Sequence, residues 1–269
     1  MEQYFSKKRN SFLPISFKNV NRAILFGDGV FETMLYVNGS IRFETDHWKR
    51  ALQGLKTLKI NPENLSSALE ITTWIKEISK DETLLRIRWN IFRSGLGKYT
   101  PLANGCEEIL MVTPFHFPPK TKEKAYVSSS ISIPKSPWAN CKTLNGLHYV
   151  MANIEREEKG MDEVILLDDE GFISEAGASN IYWLIEGVYY TPSLETSCIA
   201  GVSRQQILHH FNENELALKE GRFRPEMLEK AEKVFTSNIS GISYIQQIGK
   251  TIYEYSPIEE IEQLFAINK

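Results

Sequence analysis

The stretch GVFETMLYVNGSIRF, residues 29–43, alternates on both sides of Asn38-Gly39. Asn-Gly readily supplies the two left-handed residues of a tight hairpin turn. The stretch therefore predicts two antiparallel strands near the start of the chain. The order of elements that follows limits the fold further. DHWKRALQGLKTLKI (46–60) sets Trp48, Ala51, Leu52, Leu55 and Leu58 at helical spacing. A second helix is expected over 64–80, with Leu65, Leu69, Trp74, Ile75 and Ile78 inward. Two strands, TLLRIRWNIF and EEILMVTPF, come next, joined by the loop RSGLGKYTPLANG. The Pro-rich, basic HFPPKTK reads as a linker.

Beyond it, AYVSSSISI reads as a strand and HYVMANIEREEKG as a helix ending at Lys159. EVILLDDEGFIS is a strand, a turn and a short strand, and NIYWLIEGVYYTP is a hairpin. SRQQILHHFNE is a helix, and KVFTSN and ISYIQQIG end the pattern as strands. Long strands mixed with helices, without regular βαβ alternation, argue for an α+β fold and against a doubly wound parallel sheet. The expected division is a smaller N-terminal α+β domain over 1–114, a linker over 115–122 and a larger domain over 123–269.

Composition narrows the partners. The net charge is −3 and the pI is near 6.0. Charge thus gives no reason to expect a nucleic-acid partner. There is no run of 18 apolar residues, so no membrane span is expected. The first residues, MEQYFSKKRNSFLPISF, lack the apolar core of a signal peptide, and a cytoplasmic location is expected. Cys106, Cys141 and Cys198 are too scattered for a disulfide framework or a zinc site, so no metal is expected.

The chemistry must lie elsewhere. No catalytic serine motif or P-loop is present, and FGDGV lacks a third glycine at dinucleotide-binding spacing. CIAGVSRQQIL places Gly201, Val202 and Ser203 where a helix begins. Ser203 is expected to cap that helix, and the backbone N–H groups there favour an anion. VFTSNISG ends an apolar run in Thr236, Ser237, Asn238 and Ser240, further donors suited to a phosphate. FISEAGASNIYWL sets Glu175 among small residues, where a buried acid requires a partner. CKTLNGL holds Lys142 at a strand-to-helix junction. Each feature alone has an ordinary structural reading. Together, a lysine, an acid and a phosphate cup are the parts that hold pyridoxal 5′-phosphate.

Six blocks then run in a telling order: FGDGVFET (26–33), DHWKRA (46–51), CKTLNGL (141–147), EVILLDDEGFISEAGASNIYWL (163–184), YTPSLETSCIAGVSR (190–204) and VFTSN (234–238). The set resembles the class IV aminotransferases, the fold-type IV pyridoxal-phosphate enzymes. The resemblance implies that Lys142 bonds the cofactor and moves the substrate's α-proton. It implies that Glu175 partners the ring nitrogen. Arg50, Val202, Ser203 and Asn238 fall where the family binds the phosphate, and Ile199 where an aliphatic side chain packs on the ring. Periodicity alone reads Arg50 as solvated; the resemblance turns it to the phosphate. Phe31, Thr33, Arg88, Arg93 and Tyr99 are the substrate-side candidates. Arg88 and Arg93 are five apart, so in a regular strand they face opposite sides, and at least one is structural.

Within the family, Thr33, the loop FRSGLGKYTP and YWLIEGVYYTPSL are similar to the lyases that form 4-aminobenzoate and pyruvate from 4-amino-4-deoxychorismate. A transaminase of branched-chain or D-amino acids is the second reading, and an inactive member acting as a binding module the third. Family membership also implies a homodimer acting on a small-molecule amine.

Overall fold

The computed structural model describes residues 3–8, 11–14, 21–79, 84–95 and 97–267. The chain forms two compact units. One runs to His116 and also takes in Cys141–Asn145; the other holds Phe117–Asn140 and everything from Gly146 onward.

The first unit contains β1 (Gln3–Lys8), β2 (Ser11–Pro14), α1 (Arg22–Phe26), β3 (Gly29–Val37), β4 (Ser40–Ile41), α2 (Glu44–Thr57), α3 (Ala68–Ser79), β5 (Leu84–Arg93) and β6 (Cys106–Pro114). Its strands make one antiparallel sheet in the order β2-β1-β6-β5-β3-β4. Asn38 and Gly39 turn β3 into β4 with φ of 46° and 89°, as a two-residue hairpin requires. Alternation sends Met34, Tyr36, Leu85, Ile87, Trp89 and Leu110 to one face, where α2 and α3 cover them with Ala51, Leu55, Ile71 and Ile75. A Cβ on Gly54 would come within 2.8 Å of Val30 Cγ1, so α2 rides directly on β3.

Two helix expectations need correction. α2 buries His47, Ala51, Gly54 and Leu55, and leaves Leu52 exposed. α3 starts at Ala68 rather than 64, behind a capping box in which Ser67 and Glu70 exchange hydrogen bonds. The expected end at Lys80 lies outside the described residues. Leu69 is exposed because the helix buries Ile71, Thr72 and Ile75, and Leu69 lies some 200° from Ile71.

The second unit runs β7 (Thr121–Lys122), β8 (Ala125–Ile133), α4 (Leu147–Glu158), β9 (Glu163–Asp168), β10 (Ile173–Ala176), β11 (Asn180–Ile185), β12 (Val188–Pro192), α5 (Val202–Glu213), β13 (Leu218–Gly221), β14 (Lys233–Asn238), β15 (Gly241–Ile245), β16 (Gln247–Ile248), β17 (Thr251–Ile252) and α6 (Glu259–Gln263). They build two mixed sheets, β10-β9-β8-β16-β17 and β13-β12-β11-β14-β15-β7. Ile165, Ile173, Ile181, Trp183, Val234 and Ile245 pack together in its core. Parallel pairs β8–β9 and β12–β13 are crossed by α4 and α5. Thr121 and Lys122, inside the stretch expected as linker, pair with β15 and so belong to a sheet.

Candidate active site

Lys142 sits in the five-residue segment that joins the first unit. The Phe31 N–H donates to Lys142 O at 2.8 Å, and the Leu144 N–H to Gly29 O at 2.9 Å. Val30 and Thr143 form an antiparallel bridge. The segment is thus clipped onto β3 by an isolated bridge where β4 does not reach. The Lys142 Nζ lies 4.6 Å from the centre of the Phe31 ring, and the Arg88 guanidinium carbon lies 3.7 Å from it. The negative face of an aromatic ring attracts both cations. Thr33 stands opposite Arg88 in the β3–β5 register. Phe31, Thr33 and Arg88 therefore share the sheet face turned away from the α2–α3 core.

Arg88 is half-buried and donates to Asn90 Oδ1 at 3.0 Å; no carboxylate pairs with it among the described residues. Burial, then the charge of Arg86, push its guanidinium down to about 10. A desolvated cation of this kind is ready for an anionic ligand.

Arg93 is a correction. Its guanidinium donates to both Asp28 oxygens at 3.0 and 3.2 Å, to Leu58 O at 2.7 Å and to Lys59 O at 3.0 Å, and also bonds Asn104. Every side of the fork is taken by its own unit, which leaves Arg93 no donor for a ligand. Tyr99 is 91% exposed, with its ring 5.8 Å from Phe26, and does not join the Phe31 group.

The other sheet face hides a polar group that the sequence reading missed. Glu32 is 1% exposed and points toward α2. Arg50 Nε and Nη2 donate to its two oxygens at 2.8 and 2.5 Å, and His47 Nδ1 lies 2.6 Å from Oε2. Burial alone would raise the Glu32 carboxyl. The Arg50 charge and the bonds from His47 and Arg50 outweigh it and hold the group below the usual carboxylate range. The Arg50 side chain is only 14% exposed, so the solvated reading from periodicity is corrected. The signal was present: Glu32 falls in step with Val30, Met34 and Tyr36.

In the second unit, Glu175 on β10 is 3% exposed and held from two directions. The Tyr149 hydroxyl of α4 donates to Oε1 at 2.5 Å, and the Ile199 N–H donates to Oε2 at 3.2 Å. Asn180 Nδ2 holds Ile199 O at 3.0 Å, and Asn140 Nδ2 holds Cys198 O at 2.7 Å. Cys198 is 1% exposed; burial, then the Glu175 charge, push its thiol up to about 12.

The loop runs straight into α5. Gly201, not Ser203, occupies the cap position, with extended backbone and no side-chain cap. A Cβ there would fall 2.1 Å from Asn180 Oδ1, so any other residue would have to push the Asn180 side chain aside. Ser203 already lies within the helix, where a cap's non-helical backbone is ruled out. Its Oγ is buried and has no hydrogen-bond partner. Val202 beside it is buried. Asn238 closes β14, donating to Ser179 Oγ at 3.0 Å and accepting from the Ser240 N–H at 2.9 Å. Its side chain thus fastens two turns of its own unit. Among the described residues, no group of three His, Cys, Asp or Glu could hold a metal ion, and no helix is long and apolar enough to cross a membrane.

Residues 29–248 match the family described as amino-transferase class IV. The chain is 28% identical over 253 residues to a D-alanine aminotransferase of Bacillus licheniformis, covering 88% of this chain and 85% of that one. It is 26% identical over 251 residues to an aminodeoxychorismate lyase of Bacillus subtilis, covering 91% and 81%. Its fold is similar to that of a branched-chain aminotransferase from Thermoproteus uzoniensis, at a TM-score of 0.84 and 23% identity over 98% of this chain and 93% of that one. With a match across most of its length, this α+β chain belongs to the class IV aminotransferase family and is an enzyme.

Proposed function

We propose that this enzyme is a pyridoxal 5′-phosphate-dependent lyase that converts 4-amino-4-deoxychorismate into 4-aminobenzoate and pyruvate, a step of folate synthesis in the cytoplasm. Pyridoxal 5′-phosphate is the cofactor of its family. The residues present fit that group. The first turn of α5 offers unpaired backbone N–H groups. Beside them, the orphaned Ser203 Oγ is a buried polar atom that otherwise costs free energy. A phosphate there would satisfy both, with Val202 shaping the turn. Arg50, its fork set by Glu32, suits a phosphate oxygen, and Asn238 steadies the neighbouring turn. Glu175 would face the ring nitrogen and Ile199 the ring.

When bound, the cofactor supplies an electron sink for the substrate carbon that loses its proton. Lys142 takes that proton. The C–O bond to the enolpyruvyl group then breaks, and the ring becomes aromatic. The leaving group gains a proton at carbon as it becomes pyruvate. Arg88 would hold a substrate carboxylate and Thr33 would hydrogen-bond near it.

The observation that carries this reading is the Phe31–Thr33–Arg88 face beside Lys142. It sets a desolvated guanidinium against the ring that the amine also meets, with the Thr33 hydroxyl on the same sheet face, suited to a carboxylated ring. Transamination is the second reading, supported by the likeness to the D-alanine enzyme. Purified enzyme given 4-amino-4-deoxychorismate is expected to release equal amounts of pyruvate and 4-aminobenzoate. Keto-acid-dependent amine transfer without 4-aminobenzoate would overturn the lyase in favour of the transaminase.

The homodimer is also a proposal. Leu147, Val150, Met151 and Ile154 form an exposed apolar stripe along α4, 44–66% accessible. A second copy would bury it. Light scattering is expected to give about twice the 30.9 kDa chain mass. A monomer at micromolar concentration would refute it.

A further inference from the structure

Tyr149 makes a short bond to Glu175. The residue lies seven positions after Lys142, on the first turns of α4. Its hydroxyl donates to Glu175 Oε1 at 2.5 Å, while the Ile199 N–H holds Oε2. We propose that Tyr149 is a positioning residue that keeps Glu175 charged and in one rotamer, so that the shared proton stays on the cofactor's ring nitrogen rather than on the carboxyl. The proposal rests on the reading that Glu175 faces that nitrogen.

Glu175 and the ring nitrogen compete as bases for one proton. A carboxylate at 3% exposure would rather be neutral. Cys198 nearby is 1% exposed. Opposite a pyridine nitrogen, a carboxyl of raised basicity would draw the proton to itself. That would leave the ring neutral and a poorer sink for electrons. Hydrogen bonds to the charged form work against this shift. The backbone donor from Ile199 is fixed by the fold. The phenol is a side-chain donor, and it is well chosen: burial, then the Glu175 charge, raise Tyr149 above the ordinary tyrosine value, so the proton stays on the phenol and the bond keeps its direction. Phenol to carboxylate is among the stronger hydrogen bonds because the acceptor is ionised. Tyr149 also carries the acid's orientation into α4, so carboxylate and helix are tied as one piece.

The test uses holoenzyme reconstituted with cofactor labelled with ¹⁵N in the ring, observed by NMR without turnover. In Tyr149→Phe the ratio of protonated to neutral ring nitrogen is expected to fall roughly tenfold, which corresponds to one pK unit of added carboxyl basicity. Replacing Tyr149 with 3-fluorotyrosine, a stronger donor of the same shape, should move the resonance the opposite way. A merely structural tyrosine would leave the resonance in place in both. Glu175→Gln serves as the control and is expected to bring the nitrogen to its neutral value. If Glu175→Gln moves the resonance and neither tyrosine variant does, the role of Tyr149 is overturned alone. If Glu175→Gln also leaves it unmoved, the facing of Glu175 and the ring nitrogen fails, and the proposal fails with it. Should Tyr149→Phe misfold by circular dichroism, the fluorotyrosine protein decides the question by itself.

Discussion

A Lys142→Ala variant is expected to bind no cofactor covalently and to lose turnover, while folding normally. Its fold should survive because Lys142 is held through its backbone. The bonds that seat it, Phe31 N–H to Lys142 O and Leu144 N–H to Gly29 O, survive any side-chain change. What is lost is the amine above the Phe31 ring. Stability should therefore stay within about 0.5 kcal/mol of the parent. Loss of positioned proton transfer alone predicts a rate at least about 10²–10⁴-fold lower. Borohydride reduction followed by intact-mass measurement reads the covalent link directly. The parent should gain one cofactor mass and the variant none. A variant that still gains it would remove Lys142 from its assigned role. A parent that gains none would favour the inactive-member reading for the whole chain.

That seat shows what sequence reading can and cannot reach. β3, β5 and β6 were legible because their period-two alternation covers nine or ten residues each. The same alternation separated Arg88 from Arg93, and the two have different neighbours: the Phe31 ring for one, Asp28 and two carbonyls for the other. The clip of Cys141–Asn145 onto β3 is a pairing across more than a hundred residues, and five residues carry no period. Arg50 was misoriented for a different reason. The buried face of α2 is built partly from His47 and Gly54, a polar residue and one with no side chain. A hydrophobic stripe sees neither, so its apparent centre stays near Leu55, whereas the buried face is turned toward His47 and Gly54, the side on which Arg50 lies. Ser203 was misread as a cap because serine favours that position, whereas the helix starts one residue earlier, with Gly201 at the cap beside the Asn180 amide. Tyr149 was invisible as a partner of Glu175, because nothing local to α4 indicates which strand its hydroxyl meets.

The largest effect on folding is expected at Glu32. Glu32→Gln keeps the shape and removes the charge that pairs with Arg50. Breaking one side of a buried ion pair typically costs about 3–5 kcal/mol. Arg50 keeps some access to water, at 14% exposure, which places the expected loss near about 3 kcal/mol. The loss should depend on pH, with a sign set by Glu32 itself. Its carboxyl titrates below the ordinary value of 4.5 in the folded chain. A depressed acid stabilises the fold fully above its unfolded pKa, and that stability disappears as pH falls through the folded pKa. Asp28 is depressed in the same sense: burial would raise it, but Arg93 and Arg22 outweigh burial. It is present in both proteins, so it cancels in the difference between them. The gap between parent and Glu32→Gln should therefore be widest at pH 7 and narrow steadily once the pH drops below about 4.5. Hydrogen exchange at the amides of β3 and β5 reads this locally and does not require the two units to unfold together. A gap that stays constant down to pH 3 would show that Glu32 contributes shape rather than charge, and that Arg50 is held by something other than its carboxylate.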